Sequence, residues 1–75
     1  MIKTIEVIGT SGCGKCRLLK MWLDSKELPY KYRDISYDQE AVEILREHGL
    51  KSLPQLMIDD KIVEFEEYND ILKYL

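Results

Sequence analysis

The sequence predicts an α/β domain with the element order β-α-β-α-β-β-α, a four-stranded mixed sheet carrying three helices. Three observations predict it. Short runs rich in β-branched residues alternate with stretches of helical periodicity. The first run opens into Gly9-Thr10-Ser11-Gly12, a loop that hands the chain to a helix. Only Asp59-Asp60 separates the last two runs, a connection so tight that those strands must be antiparallel. At 75 residues the chain reads as one domain spanning 1–75, able to bury about 60% of its unfolded surface and therefore regular in build.

The elements follow in order. Ile2 to Ile8 reads as the first strand. Cys16, Leu19 and Leu23 then recur at helical spacing, flanked by Leu18 and Trp22, and this helix must stop before Pro29 because the residue preceding proline is pushed out of the helical region. Tyr30 to Ile35 reads as a second strand, and strand, helix and strand in this order make a parallel unit. Ser36 with Gln39 resembles a capping box, with Asp38 as the alternative cap. Ala41, Ile44, Leu45 and His48 form one stripe of a second helix that Gly49 stops. Strands follow at Gln55 to Ile58 and Lys61 to Phe65. A last helix places Tyr68, Ile71, Leu72 and Leu75 on one face. No repeat, linker or low-complexity segment interrupts this plan.

The chemistry concentrates at Cys13-Gly14-Lys15-Cys16, which holds both cysteines of the chain. Residues three apart on a helix have Cβ atoms about 5 to 6 Å apart, close to what a disulfide spans. Such a bridge closes so small a loop that it removes only about 2 kcal/mol of unfolded-state entropy, a poor reason to have it for stability alone. At a helix start, free backbone N–H groups and the helix dipole favour an anion, and Lys15 and Arg17 add positive charge. The Cys13 thiol is therefore expected below its free pKa of about 8.5, as a nucleophilic thiolate. Cys13 sits at the exposed tip and Cys16 on the buried face, an arrangement suited to a working redox pair.

Composition excludes other classes. The net charge of −3, with basic residues interleaved among acids, argues against nucleic acid as a partner. No apolar run reaches membrane-span length, and Met1 to Gly9 lacks the pattern of a signal peptide, so no membrane is expected and a cytoplasmic address is. There, a lone Cys-x-x-Cys is catalytic or metal-binding rather than structural.

A Cys-x-x-Cys opening the first helix, with an X-Pro opening the third strand, resembles the thioredoxin fold in its smallest form across the whole chain. Within that fold the sequence is similar to the glutaredoxin family. Leu28-Pro29-Tyr30 to Asp34-Ile35 matches the segment leading through its second strand, and Ser52-Leu53-Pro54-Gln55 resembles its Thr-Val-Pro segment. The resemblance implies a dithiol-disulfide oxidoreductase acting as a monomer, with Cys13 attacking and Cys16 resolving. It further implies a cis Leu53–Pro54 bond facing the cysteines, substrate contacts from Gly14, Lys15, Leu53 and Pro54, and no bound cofactor or metal. Its partners would be protein disulfides and a reductase.

The electron source is read from departures. Where glutaredoxins carry a Gly-Gly pair and a following acid that hold glutathione, this chain has Glu64-Phe65-Glu66-Glu67. Bulky side chains and three carboxylates would meet a ligand that itself carries two, at about 1 kcal/mol or more for each close like-charge contact. The lysine that many members place before the first cysteine is Thr10 here, and the aromatic between the cysteines is Lys15, which recovers part of a carboxylate contact. These features imply weak glutathione use and reduction by a thioredoxin-reductase-like flavoprotein. NrdH-type redoxins, which serve ribonucleotide reductase, are similar in this respect.

The remaining polar and aromatic features read as structure: His48 at a helix end, Trp22 and the tyrosines in core and rim, and Glu6 reaching solvent at the sheet end. The alternative function is thiolate binding of zinc, copper or an iron–sulfur cluster without turnover, which needs ligands beyond one chain's two cysteines and one histidine. Thr10-Ser11 and Cys16-Arg17 have some similarity to arsenate-reductase-like regulators, but the longer chain and further arginine motif of those proteins are missing.

Overall fold

In a computed structural model that describes residues 3–75, the four strands lie in the order β2-β1-β3-β4. The chain runs through strand β1 (Ile5–Gly9), helix α1 (Gly14–Ser25) and strand β2 (Lys31–Asp34), and β1 and β2 are parallel, with Val7 opposite Tyr32. The predicted strand start at Ile2 lies outside the described residues. Thr4 is already part of a closure onto the far end of the sheet, accepting from the Asp59 N–H and donating its own N–H to the Asp59 carboxylate, both at 2.9 Å.

Helix α2 (Gln39–Glu47) leads to strand β3 (Gln55–Ile58), strand β4 (Lys61–Val63) and a single helical turn, α3 (Tyr68–Ile71). β3 pairs antiparallel with both β1 and β4. The Asp59-Asp60 turn adopts left-handed φ values of 52° and 67°, which acidic residues tolerate better than most and which match the twist of a two-residue hairpin.

The alternating side chains of β1 and β3 divide the core in two. Ile5, Val7, Leu56 and Ile58 pack with Leu19, Leu23 and Ile71 on the face covered by α1 and α3, whereas Ile8 and Met57 meet Ala41 of α2 on the other.

Three expectations change. Asp38, not Ser36, caps α2, its carboxylate accepting the Ala41 N–H at 3.0 Å, while the Ser36 N–H turns back to the Asp34 carboxylate at 2.8 Å. β4 ends at Val63 rather than Phe65, because Phe65 leaves the ladder to pack against the α1 side of the core. The last helical stripe is cut short: Ile71 is buried, but Leu72–Tyr74 tightens into a 3-10 turn that leaves Leu72 and Leu75 exposed. Among the described residues, no helix is long and apolar enough to cross a membrane.

Candidate active site

The pairing of Ile8 with Gln55 brings the end of β1 and the start of β3 to the same edge of the sheet. The loop after Gly9 and the residues before Gln55 therefore meet there. Cys13 is the N-cap of α1, with extended backbone (φ −91°, ψ 109°), and its sulfur accepts the Cys16 N–H at 3.1 Å. That hydrogen bond directs a free amide of the helix start at the sulfur, a contact that would stabilise an anion there once the disulfide opens.

The two cysteines form a disulfide with Cα atoms 5.3 Å apart. Their exposures differ sharply: Cys13 is half-buried, while Cys16 is only 1% exposed.

Cys16 reaches so deep because the strand beneath it carries no side chain. A Cβ at Gly9 would lie 2.8 Å from the Cys16 sulfur and 2.5 Å from the Tyr32 hydroxyl. That hydroxyl donates to the Thr10 carbonyl at 3.0 Å, and the Lys20 ammonium sits 4.1 Å above the Tyr32 ring. Burial, with Asp34 nearby, pushes the Tyr32 phenol pKa up, so it is a neutral donor.

Two depressions open at the start of α1. One is walled by Cys13, Arg17, Lys20, Tyr32 and Asp34. The other holds Lys15, Pro54, Phe65, Glu66, Glu67 and Tyr68. Leu53–Pro54 is a cis peptide, as the family resemblance implied, and Leu53 packs its side chain on the α2 face of the core. Lys15 and Pro54 are thus brought together, and Gly14 leaves open space at the helix start.

The glutaredoxin family model matches residues 5–63, from β1 through β4. The chain belongs to the glutaredoxin family. Glutaredoxins are thiol-disulfide oxidoreductases, and the Cys13–Cys16 pair at bonding distance is the redox centre that such activity requires.

A curated relative, the glutaredoxin-like protein NrdH of Lactococcus lactis subsp. cremoris (strain MG1363), is 29% identical over 56 residues, covering 75% of this chain and 78% of that protein. Among solved structures, the thioredoxin-like protein BC3987 matches with a TM-score of 0.78 and 25% identity, covering 96% of this glutaredoxin and 100% of that chain. The NrdH-redoxin of Escherichia coli shares the fold, with a TM-score of 0.80 at 20% identity over 93% of this chain and 92% of its own.

Trp22 stacks at 5.6 Å on Tyr68, which meets Phe65 at 6.2 Å; Tyr37, by contrast, is almost wholly exposed. His48 caps the C-terminal end of α2 with its ring against the Ile44 carbonyl. Among the described residues, no group of three or more His, Cys, Asp or Glu is placed to share a metal ion.

Glu6 does not reach for solvent. It alternates away from the α1 face and lies 3.8 Å from Arg33, a nearly buried guanidinium that also binds Asp38 at 2.8 Å and Glu40 at 3.0 Å. Sequence reasoning passed over Arg33, Gly9 and Tyr32. The available signals were an arginine inside a strand followed by Asp38 and Glu40, and a glycine closing a buried strand just before a cysteine motif.

Proposed function

We propose that this glutaredoxin reduces protein disulfides through a division of labour between its two sulfurs. The Cys13 thiolate attacks a substrate disulfide, forming a mixed disulfide and releasing one substrate sulfur. Cys16 then attacks the Cys13 sulfur, releases the second substrate sulfur and leaves the internal disulfide. The observation that carries this reading is the half-buried Cys13, its sulfur on the Cys16 N–H in the first turn of α1, with the closed Cys16 beneath it. Gly14, Lys15, Leu53 and Pro54 form the bank against which a substrate segment lies, the backbone at Leu53 pairing with it in the manner of strand addition.

For the electron donor, we favour a thioredoxin-reductase-like flavoprotein over glutathione. The Asp70 carboxylate accepts the Glu67 and Glu66 N–H groups at 3.1 and 3.2 Å, so a ligand carboxylate at this turn meets occupied donors and the exposed side chains of Glu66 and Glu67. Ribonucleotide reductase is among the protein disulfides we assign to it, and the cytosol is where a reduced dithiol of this kind operates. It carries no cofactor of its own in this reading and works as a monomer.

The test is a parallel assay with insulin and a ribonucleotide reductase as acceptors, driven either by thioredoxin reductase or by glutathione with its reductase. Turnover is expected from the flavoprotein and little from glutathione; efficient turnover with glutathione overturns the donor assignment. Cys13→Ser should abolish exchange and Cys16→Ser should trap a mixed disulfide. Exchange that survives Cys13→Ser, or no trapped species with Cys16→Ser, overturns the sulfur roles.

A further inference from the structure

We infer that the Tyr32 hydroxyl is a positioning group for Cys16, turning from the Thr10 carbonyl to donate a hydrogen bond to the Cys16 thiolate when that sulfur is called on to resolve a mixed disulfide. The inference rests on the sulfur roles proposed above. A thiol that is 1% exposed has little water to stabilise its anion, and burial in apolar surroundings holds a thiol protonated. Cys16 therefore needs a local donor at the moment it loses its proton.

The structure supplies one. The hydroxyl and the sulfur both lie within 3 Å of the point where a Gly9 Cβ would be, so they are neighbours across a glycine. In the disulfide state the sulfur carries no charge, and the hydroxyl donates instead to Thr10 at 3.0 Å. Tyr32 and Cys13 wall the same depression, so the residue that carries the hydroxyl borders the open side of the site.

In the resolving step Cys16 releases its proton to solvent. The thiolate gives an electron pair to the Cys13 sulfur, the bond from Cys13 to the substrate sulfur breaks, and the substrate departs as a thiolate. The protein dithiol is thereby oxidised to a disulfide as the substrate disulfide is reduced. The phenolic O–H swings from the Thr10 carbonyl toward the new thiolate, its neighbour across Gly9.

The charged and titratable groups around this hydroxyl are Lys20 and Arg17 from α1, Asp34 from β2 and Tyr30 just before it. They are the same in parent and Tyr32→Phe proteins, so a difference between the two profiles reports the hydroxyl.

The experiment is stopped-flow reaction of the reduced protein with a nitrobenzoate aryl disulfide, which releases a yellow thiolate twice. The first release is bimolecular and reads Cys13; the second is unimolecular and reads Cys16. Losing a hydrogen bond to a thiolate is expected to raise the Cys16 pKa by about one unit. Because nucleophilicity rises with pKa at a Brønsted slope near 0.5, the second phase of Tyr32→Phe should be about threefold slower below that pKa and about threefold faster above it. The parent and variant curves then cross, and the first phase is unchanged. A ring-fluorinated tyrosine at position 32, a stronger donor with the same shape, should shift the profile the opposite way.

A second phase with the parent profile in both variants overturns the inference. Uniform slowing of both phases without a crossing also overturns it, because Tyr32 would then merely anchor the loop at Thr10. A fast bimolecular phase surviving in Cys13→Ser would overturn the sulfur roles themselves, and it is separable because it does not involve Tyr32.

Discussion

At Gly9, hydrogen in place of a side chain decides how far a sulfur can sink. The space a methyl group would need is taken by the Cys16 sulfur and the Tyr32 hydroxyl, and close-packed interiors do not yield such space freely. Gly9→Ala is therefore expected to displace Cys16 outward and to destabilise the protein by about 1 to 3 kcal/mol, the usual range for overpacking. Urea titration of the oxidised protein measures it, and an unchanged midpoint would show that the sulfur has room to move. Arg33 illustrates a different residue-scale rule. A guanidinium this deeply placed is tolerable only when paired, and here Asp38, Glu40 and Glu6 share it, holding its proton firmly.

Among the elements, the junction of β2 and α2 is governed by a single carboxylate with two tasks. Asp38 caps α2 through the Ala41 N–H and grips Arg33 on β2 with both oxygens, which holds its carboxyl down at about 2. The folded value lies below the ordinary one of about 3.9, so the stabilisation is complete above about pH 4 and is lost as pH falls through about 2. Asp38→Asn, which keeps an oxygen for the cap, should lower the melting temperature at neutral pH and flatten its fall between about pH 4 and 2. Melting profiles of the two proteins that decline in parallel over that interval would refute the account. This junction also marks where sequence reasoning stops. The strand Gln55–Ile58 and its tight turn were legible because proline, periodicity and two acidic turn residues act locally. The reach of Arg33 to Glu6 was not, since it depends on the register that sets Ile8, two residues on from Glu6, opposite Arg33. Nor was the short α3, where Asp70 folds back onto the Glu66 and Glu67 amides and the chain tightens at once into a 3-10 turn. The cysteine motif was plain in the sequence, while the convergence of Gly9, Tyr32 and Cys16 emerges only when β1, β2 and α1 are stacked.

For the whole molecule, stability and redox state are only weakly tied. The Cys13–Cys16 bridge closes a very short loop, so opening it is expected to lower unfolding free energy by about 2 kcal/mol or less. Urea curves with and without reductant test this, and a reduced form that fails to fold would contradict it. A protein that cycles its bridge is thus expected to keep its shape in both states. The antiparallel register of Ile8 against Gln55 has a wider consequence. Cysteines encoded early meet their proline only after a strand encoded late has slid into alignment, and a slip of one residue would turn every side chain of that strand to the wrong face. Docking of that strand is therefore what completes the ground beside the thiols, so the whole site belongs only to the finished architecture.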